Sequence, residues 1–238
     1  MKIVGLVLVA IGLFAVVAEV MGYSLLIYYG DPVGGFLGIA LAFLGILLIT
    51  IPTALRELRG KKSNPLEGYV TFVDTYNENV GYGVGWFATL LVVVVFVNVL
   101  LRYVYGQSFL TLQDGSWYIF GLIFMIGAAY TLKHDRHVRV DIFFVNYPPK
   151  VQVWVNMLGT IFFLIPFCIL ALYVSWGFVG QSFNLQETSP DAGGLAARYL
   201  AKAVTPIGFI LLLLQGVSLI FTCILQLTGQ RPLPEHQN

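Results

Sequence analysis

The sequence predicts an all-α fold: a polytopic membrane helix bundle of six transmembrane helices, two plus four, with one or two short interfacial helices. Three observations predict it. Hydrophobic residues make up 58% of the chain and charged residues 11%, against roughly 25% charged in a soluble domain, so too few charges remain to cover a soluble core. The apolar residues gather into six blocks, most of them near or above the ~20 residues a helix needs to cross a bilayer. Barrel strands would be shorter and would alternate polar with apolar positions, which the blocks do not.

In chain order the blocks are 3–28, 33–55, 82–104, 117–132, 151–179 and 203–227. The first opens on Lys2 and carries Val16-Val17-Ala18, which imitates a signal peptide with its cleavage site. Its apolar run continues past Ala18 and a second span follows at once, which predicts a retained helix. The second block closes a hairpin through the turn Gly30-Asp31-Pro32. The fourth is short, and its start slides back toward Leu110 if more length is needed.

Basic residues set the expected orientation. Lys2, Arg56, Arg59, Lys61, Lys62, Lys133, Arg136, Arg139, Lys150 and Arg231 fall on one side, and only Arg102, Arg198 and Lys202 on the other. Six spans with both termini cytoplasmic satisfy every loop together. The basic, polar loop 56–65, with the breaker Asn64-Pro65, is the best internal boundary. It divides the chain into a two-span hairpin extension (1–62), a four-span domain (63–230) and a cytoplasmic tail (231–238).

Two segments suggest surface helices. Over 66–80, apolar Leu66, Tyr69, Val70, Val73, Tyr76 and Val80 recur at helical spacing, with Glu67, Asp74, Asn77 and Glu78 on the other side. This is either an amphipathic helix on the cytoplasmic surface or the start of the third span. The run 140–147, before Pro148-Pro149, is a second candidate, with a buried loop as its alternative. Tyr28, Tyr29, Trp86, Tyr103, Tyr105, Trp117, Trp154 and Trp176 stand near span ends, as interfacial aromatic belts require.

Little in the chain points to chemistry. Net charge is +1, which gives no reason to expect a nucleic-acid partner. Cys168 and Cys223 lie in apolar runs, without the spacing of a metal site or redox pair. Glu19 is the one charged residue well inside a span, and its role stays open between a proton or cation site and a carboxylate joining helices. His134, His137 and His236 lie outside the spans, which speaks against a haem held between facing helices. His134 and His137, beside Asp135 and Asp141, invite a metal reading, but a solvated turn or a subunit contact suits their basic loop better. Asn98, Asn156, Thr160, Gln215 and Ser218 are expected to hydrogen-bond between helices, and Gly34, Gly38 and Ala42 form a small-residue stripe for close packing. Pro166 is expected to kink the fifth span. No phosphate loop or nucleophile elbow is present, and no enzyme is implied.

From the third span onward the chain resembles the small membrane subunit of TRAP (tripartite ATP-independent periplasmic) transporters, the DctQ-type permease. The resemblance rests on Arg102 ending the third span, Ser116-Trp117 opening the fourth, Gly127-Ala128-Ala129-Tyr130 and then His137-Val138-Arg139-Val140-Asp141 and Pro148-Pro149. It continues through Glu187-Thr188-Ser189-Pro190, Lys202, Pro206-Ile207-Gly208-Phe209 and Leu214-Gln215-Gly216. It implies a non-catalytic subunit, without a cofactor, in the bacterial inner membrane. That subunit would support the scaffold of a large permease subunit in sodium-coupled uptake of organic acids, with a periplasmic binding protein delivering substrate. On this analogy His137, Arg139 and Asp141 order a cytoplasmic corner. Arg102, Glu187, Arg198 and Lys202 lie on the periplasmic side, where they could touch the large subunit or the binding protein. A membrane anchor for a redox or other enzyme complex is the alternative, and a self-assembling channel a third class. The resemblance does not extend to the N-terminal hairpin or to Glu19.

Overall fold

The computed structural model describes residues 65–106, 109–134, 144, 146–191, 194–195 and 197–233. The first two apolar blocks, Glu19, most of 140–147, and the corner residues His137, Arg139 and Asp141 lie outside the described residues. Every regular element among the described residues is helical. The helices are α1 (Pro65–Tyr105), α2 (Leu110–Lys133), α3 (Pro149–Asn184) and α4 (Arg198–Leu227), and each is long and apolar enough to cross a membrane. They contain the last four expected spans, and α2 does begin at Leu110.

α1 has 41 residues, which at 1.5 Å per residue is about 60 Å, twice the hydrocarbon thickness. The segment 66–80 therefore continues α1 without a break and is no separate helix. One seam of α1 is buried: Val70, Val73, Asn77, Val80, Val84, Phe87, Leu90 and Val94. α2 buries Leu112, Gly115, Ile119, Leu122, Ile126, Ala129 and Leu132. Both series step by three and four, the spacing that lets one helix lie along another. α1 and α2 share a core cluster to which α4 adds Leu211.

α4 is the central element, packing against α1, α2 and α3. Close approach is allowed by glycines where helices cross. A Cβ on Gly208 would stand 2.6 Å from the Met125 carbonyl oxygen of α2, and one on Gly216 would stand 3.0 Å from Leu164 Cδ2 of α3. A Cβ on Gly81 of α1 would stand 2.2 Å from Tyr130 Cδ2 of α2. Gly208, Gly216 and Tyr130, each from one of the short sequence pieces, thus mark contact points between helices.

α3 is the peripheral helix. It buries Gln152, Val153 and Thr160 in its first half, and beyond Leu164 only Cys168, Ser175 and Ser182 at intervals of seven, a narrow seam of small side chains. Pro166 has no N–H to give the carbonyl four residues back, and it does not break the helix. A π-helical segment, Thr160–Leu164, precedes it, and the Ile165 N–H bonds the Thr160 carbonyl five residues back. The wider turn accommodates the ring at the cost of local register. The tryptophans Trp86, Trp117, Trp154 and Trp176 all project away from the core.

Candidate functional site

Polar side chains gather at two levels of the bundle. The first is built from the middle of α4 and the Pro65 half of α1. Asp74 Oδ1 accepts a hydrogen bond from Gln215 Nε2 at 3.0 Å and another from Ser218 Oγ at 2.9 Å. Asn77 Nδ2 donates to Gln215 Oε1 at 2.6 Å. Asn77, Gln215 and Ser218 are each at most 3% exposed. One turn along α1, Glu78 Oε2 meets Lys133 Nζ at 2.5 Å and His134 Nε2 at 2.8 Å, both at the end of α2. Lys133 also donates to the Asp74 carbonyl oxygen at 2.9 Å, and Tyr130 packs on His134 at 4.5 Å between ring centres. The network therefore ties α1 to α2 and α4 together.

This arrangement corrects the expected amphipathic face. Asp74, Asn77 and Glu78 do not look outward from a surface helix; they turn toward α2 and α4. In a low-dielectric interior such a network is stabilising only while its members satisfy one another. Gln215 and Ser218 do bond between helices, as expected, and their partner is a carboxylate.

The second level closes the opposite end. Glu187 receives Lys202 Nζ on Oε2, together with Ser182 Oγ at 2.6 Å, and Arg198 Nη1 lies 3.7 Å from Oε1. Its backbone joins in, since the Arg198 N–H donates to the Glu187 carbonyl at 2.9 Å. Lys202 Nζ also sits 4.0 Å from the centre of the Phe178 ring, a cation–π contact. The loop folds back on α2, where the Leu195 N–H donates to Asp114 Oδ2 at 3.1 Å. Gly194 leaves room for this contact: a Cβ there would lie 2.5 Å from the same carboxylate oxygen and push the Asp114 side chain aside.

Of the four residues expected on this side, the structure thus joins Glu187, Arg198 and Lys202 into one cluster linking α3 to α4. Arg102 stands apart, exposed at the end of α1 with its guanidinium 5.9 Å from the Tyr103 ring. Asp114, Lys133 and Asp74 were not singled out as site residues by sequence. Their signal is an ionisable side chain within or at the end of a long apolar helix.

The Glu187 carboxyl is held below its usual 4.5, first by the hydrogen bond from Lys202 and then by that from Ser182. The fold prefers the ionised form, so the cluster's contribution is complete above pH 4.5 and is lost as pH falls below it through the lowered value. The thermal midpoint is expected to fall along that acid limb, and Glu187→Gln to flatten it. A parent chain whose midpoint does not change across the limb would contradict the assignment.

The family model described as tripartite ATP-independent periplasmic transporters, DctQ component, matches residues 91–226, more than half of the chain: the end of α1, all of α2 and α3, and nearly all of α4. The chain belongs to this family, whose members are transporter components and not enzymes. It is similar to the C4-dicarboxylate TRAP transporter small permease protein DctQ of Vibrio cholerae, with 25% identity over 107 residues. It is also similar to a small permease protein assigned to a TRAP transporter in Haemophilus influenzae, with 28% identity over 104 residues. The alignments cover 45% and 44% of this chain, and 44% and 63% of the relatives, so the chain spans about half the length of the curated relatives it matches. No solved structure matches the chain.

Proposed function

We propose that this chain is the small, non-catalytic subunit of a sodium-coupled TRAP transporter for organic acids in the bacterial inner membrane. Its role is to pack against and support the scaffold of the large permease subunit, while a periplasmic binding protein delivers the substrate. Within the class of organic acids, the Vibrio relative's name points to C4-dicarboxylates. Both termini lie in the cytoplasm, the Glu187 cluster faces the periplasm, and the Lys133 network lies toward the cytoplasm, as the distribution of basic residues favours.

The observation that carries the scaffold role is the use made of the interior polar groups. Asp74, Asn77, Glu78, Gln215 and Ser218 hold helices together through bonds made within the chain. Such groups, locked at helix contacts, fit a fixed support better than a moving carrier. The membership shown above favours this reading over the redox-anchor alternative.

Affinity purification of the tagged chain from the membranes of its native host is expected to recover a larger polytopic permease in fixed ratio. Recovery of the chain alone, with uptake intact in cells lacking it, would contradict the proposal.

A further inference from the structure

Asn98 is expected to hydrogen-bond between helices, and within this chain it does not. Its Oδ1 is buried without a partner, and its Nδ2 has none among the described residues. Every other carboxamide in the four predicted spans of α1 to α4 has a partner. Gln152 donates to the Phe144 and Tyr147 carbonyls, Gln215 to Asp74 and Gln226 to the Pro232 carbonyl, and Asn156 is partnered as well.

One turn further along α1 stands Arg102, exposed. Its guanidinium lies 5.9 Å from the Tyr103 ring and has no acidic partner among the described residues. It is the one charged residue within the blocks 82–104, 117–132, 151–179 and 203–227. Positions four apart share a helix face, so the two unmet polar groups form one patch. The outward sides of the other helices differ: Phe120 and Phe124 on α2, and Phe162 and Phe163 on α3, are exposed and apolar.

Lipid answers only half of this patch. Arg102 lies two residues from the end of its block and reaches the headgroups along its apolar stem. Asn98 lies six residues from that end, about 9 Å into the hydrocarbon, and its side chain is too short to follow. An amide without a partner in an apolar medium is costly, and membrane helices meet that need by hydrogen bonds across their contacts. The Asn98 Nδ2 and the guanidinium are both donors and the patch is positive, so a carboxylate suits the pair. Exposed Val95 and Val99 flank Asn98.

We propose, resting on the scaffold role above, that this edge of α1 receives a membrane helix of the large permease subunit. That helix carries a carboxylate level with Asn98 and Arg102, so the support is given through α1.

Photo-crosslinking in the native host tests this on the full chain. A photoreactive amino acid at Val95 or Val99 is expected to give a product with the large permease, identified by mass spectrometry. At the exposed Phe124 of α2 or Phe163 of α3 it is expected to give none. Asn98→Leu is expected to lower the permease recovered by affinity purification several-fold. The same variant purified alone is expected to keep or raise its thermal midpoint, because an acceptor buried without a partner leaves with the amide. Arg102→Leu is expected to lower recovery without moving the midpoint. Recovery of permease by the parent chain, with capture at Phe124 or Phe163 instead of Val95 and Val99, would leave the scaffold role standing and overturn this docking edge. So would products of Val95 and Val99 with a second copy, within the chain or with lipid alone, or unchanged recovery by Asn98→Leu. A parent chain that recovers no permease would overturn the scaffold role and the docking edge together.

Discussion

Replacing Gly208 with valine is expected to abolish accumulation of the folded chain, and Gly208→Ala to lower its thermal midpoint by several degrees. Even alanine would place a Cβ 2.6 Å from the Met125 carbonyl oxygen and 2.9 Å from the carbonyl carbon. A flexible side chain could turn aside, but here the obstacle is backbone. α2 and α4 must move apart, and the shared cluster around Ile119, Leu122, Ile126 and Leu211 loses its fit along the contact. Overpacking of this type costs about 1–3 kcal/mol for a small increment, and a branched side chain adds to it. Gly127→Ala is the matched control, since nothing stands within 4 Å of a Cβ there. Fluorescence-detected unfolding in detergent, run on the parent chain, Gly208→Ala and Gly127→Ala together, reads the difference, and the accumulated amount of folded chain reads the valine variant. Equal midpoints for Gly208→Ala and Gly127→Ala would show that the close crossing is absent.

The second large effect is expected at Asp74. Asp74→Ala removes the acceptor shared by Gln215 and Ser218, and each buried donor left without a partner costs about 1–3 kcal/mol. The measured loss in a membrane can be smaller, because separated helices also find partners in the bilayer. The informative comparison is therefore with a chain in which the whole group is made apolar. Asp74→Leu, Asn77→Leu, Gln215→Leu and Ser218→Ala together remove donors and acceptors alike, which can be nearly neutral where breaking one partner is not. The expected order of unfolding midpoints is parent and fully apolar variant above Asp74→Ala. A fully apolar variant less stable than Asp74→Ala would mean that the network stabilises by more than mutual satisfaction.

These two sites show what the sequence could and could not disclose. Helix positions were legible because length and hydropathy alone decide whether a segment can cross the bilayer. The same count gave the fourth block as 117–132 and left its start open toward Leu110, where α2 begins. Which face of a helix turns inward was less legible. Asp74, Asn77 and Glu78 have the periodicity of a face exposed to water, and periodicity cannot distinguish water from Lys133, Gln215 and Ser218 as the polar partner. Likewise Gly208 and Gly127 both sit in short glycine-bearing pieces of α4 and α2, yet only the first lies at a crossing. Nothing local to a glycine records what will approach it. Pro166 was legible as an irregularity, but a proline does not announce whether a helix will bend or take up a π turn.

At the other end, Glu187, Arg198 and Lys202 were legible as charged residues beside predicted spans. Their mutual contact was not. It depends on the loop between α3 and α4 folding over α2, where Asp114 receives the Leu195 N–H. Three of these side chains can still be read as a surface for a partner, but their first duty is to hold the α3–α4 connection. Arg102, outside that cluster, is the member whose charge is left most open to another molecule.

The central claim, that this chain supports transport without performing it, is tested most directly by reconstitution. Proteoliposomes would carry this chain alone, the large permease alone, or both, each with the binding protein, an organic-acid substrate and an inward sodium gradient. The account predicts sodium-driven uptake only when both membrane subunits are present. Sodium-driven uptake by this chain alone would contradict it.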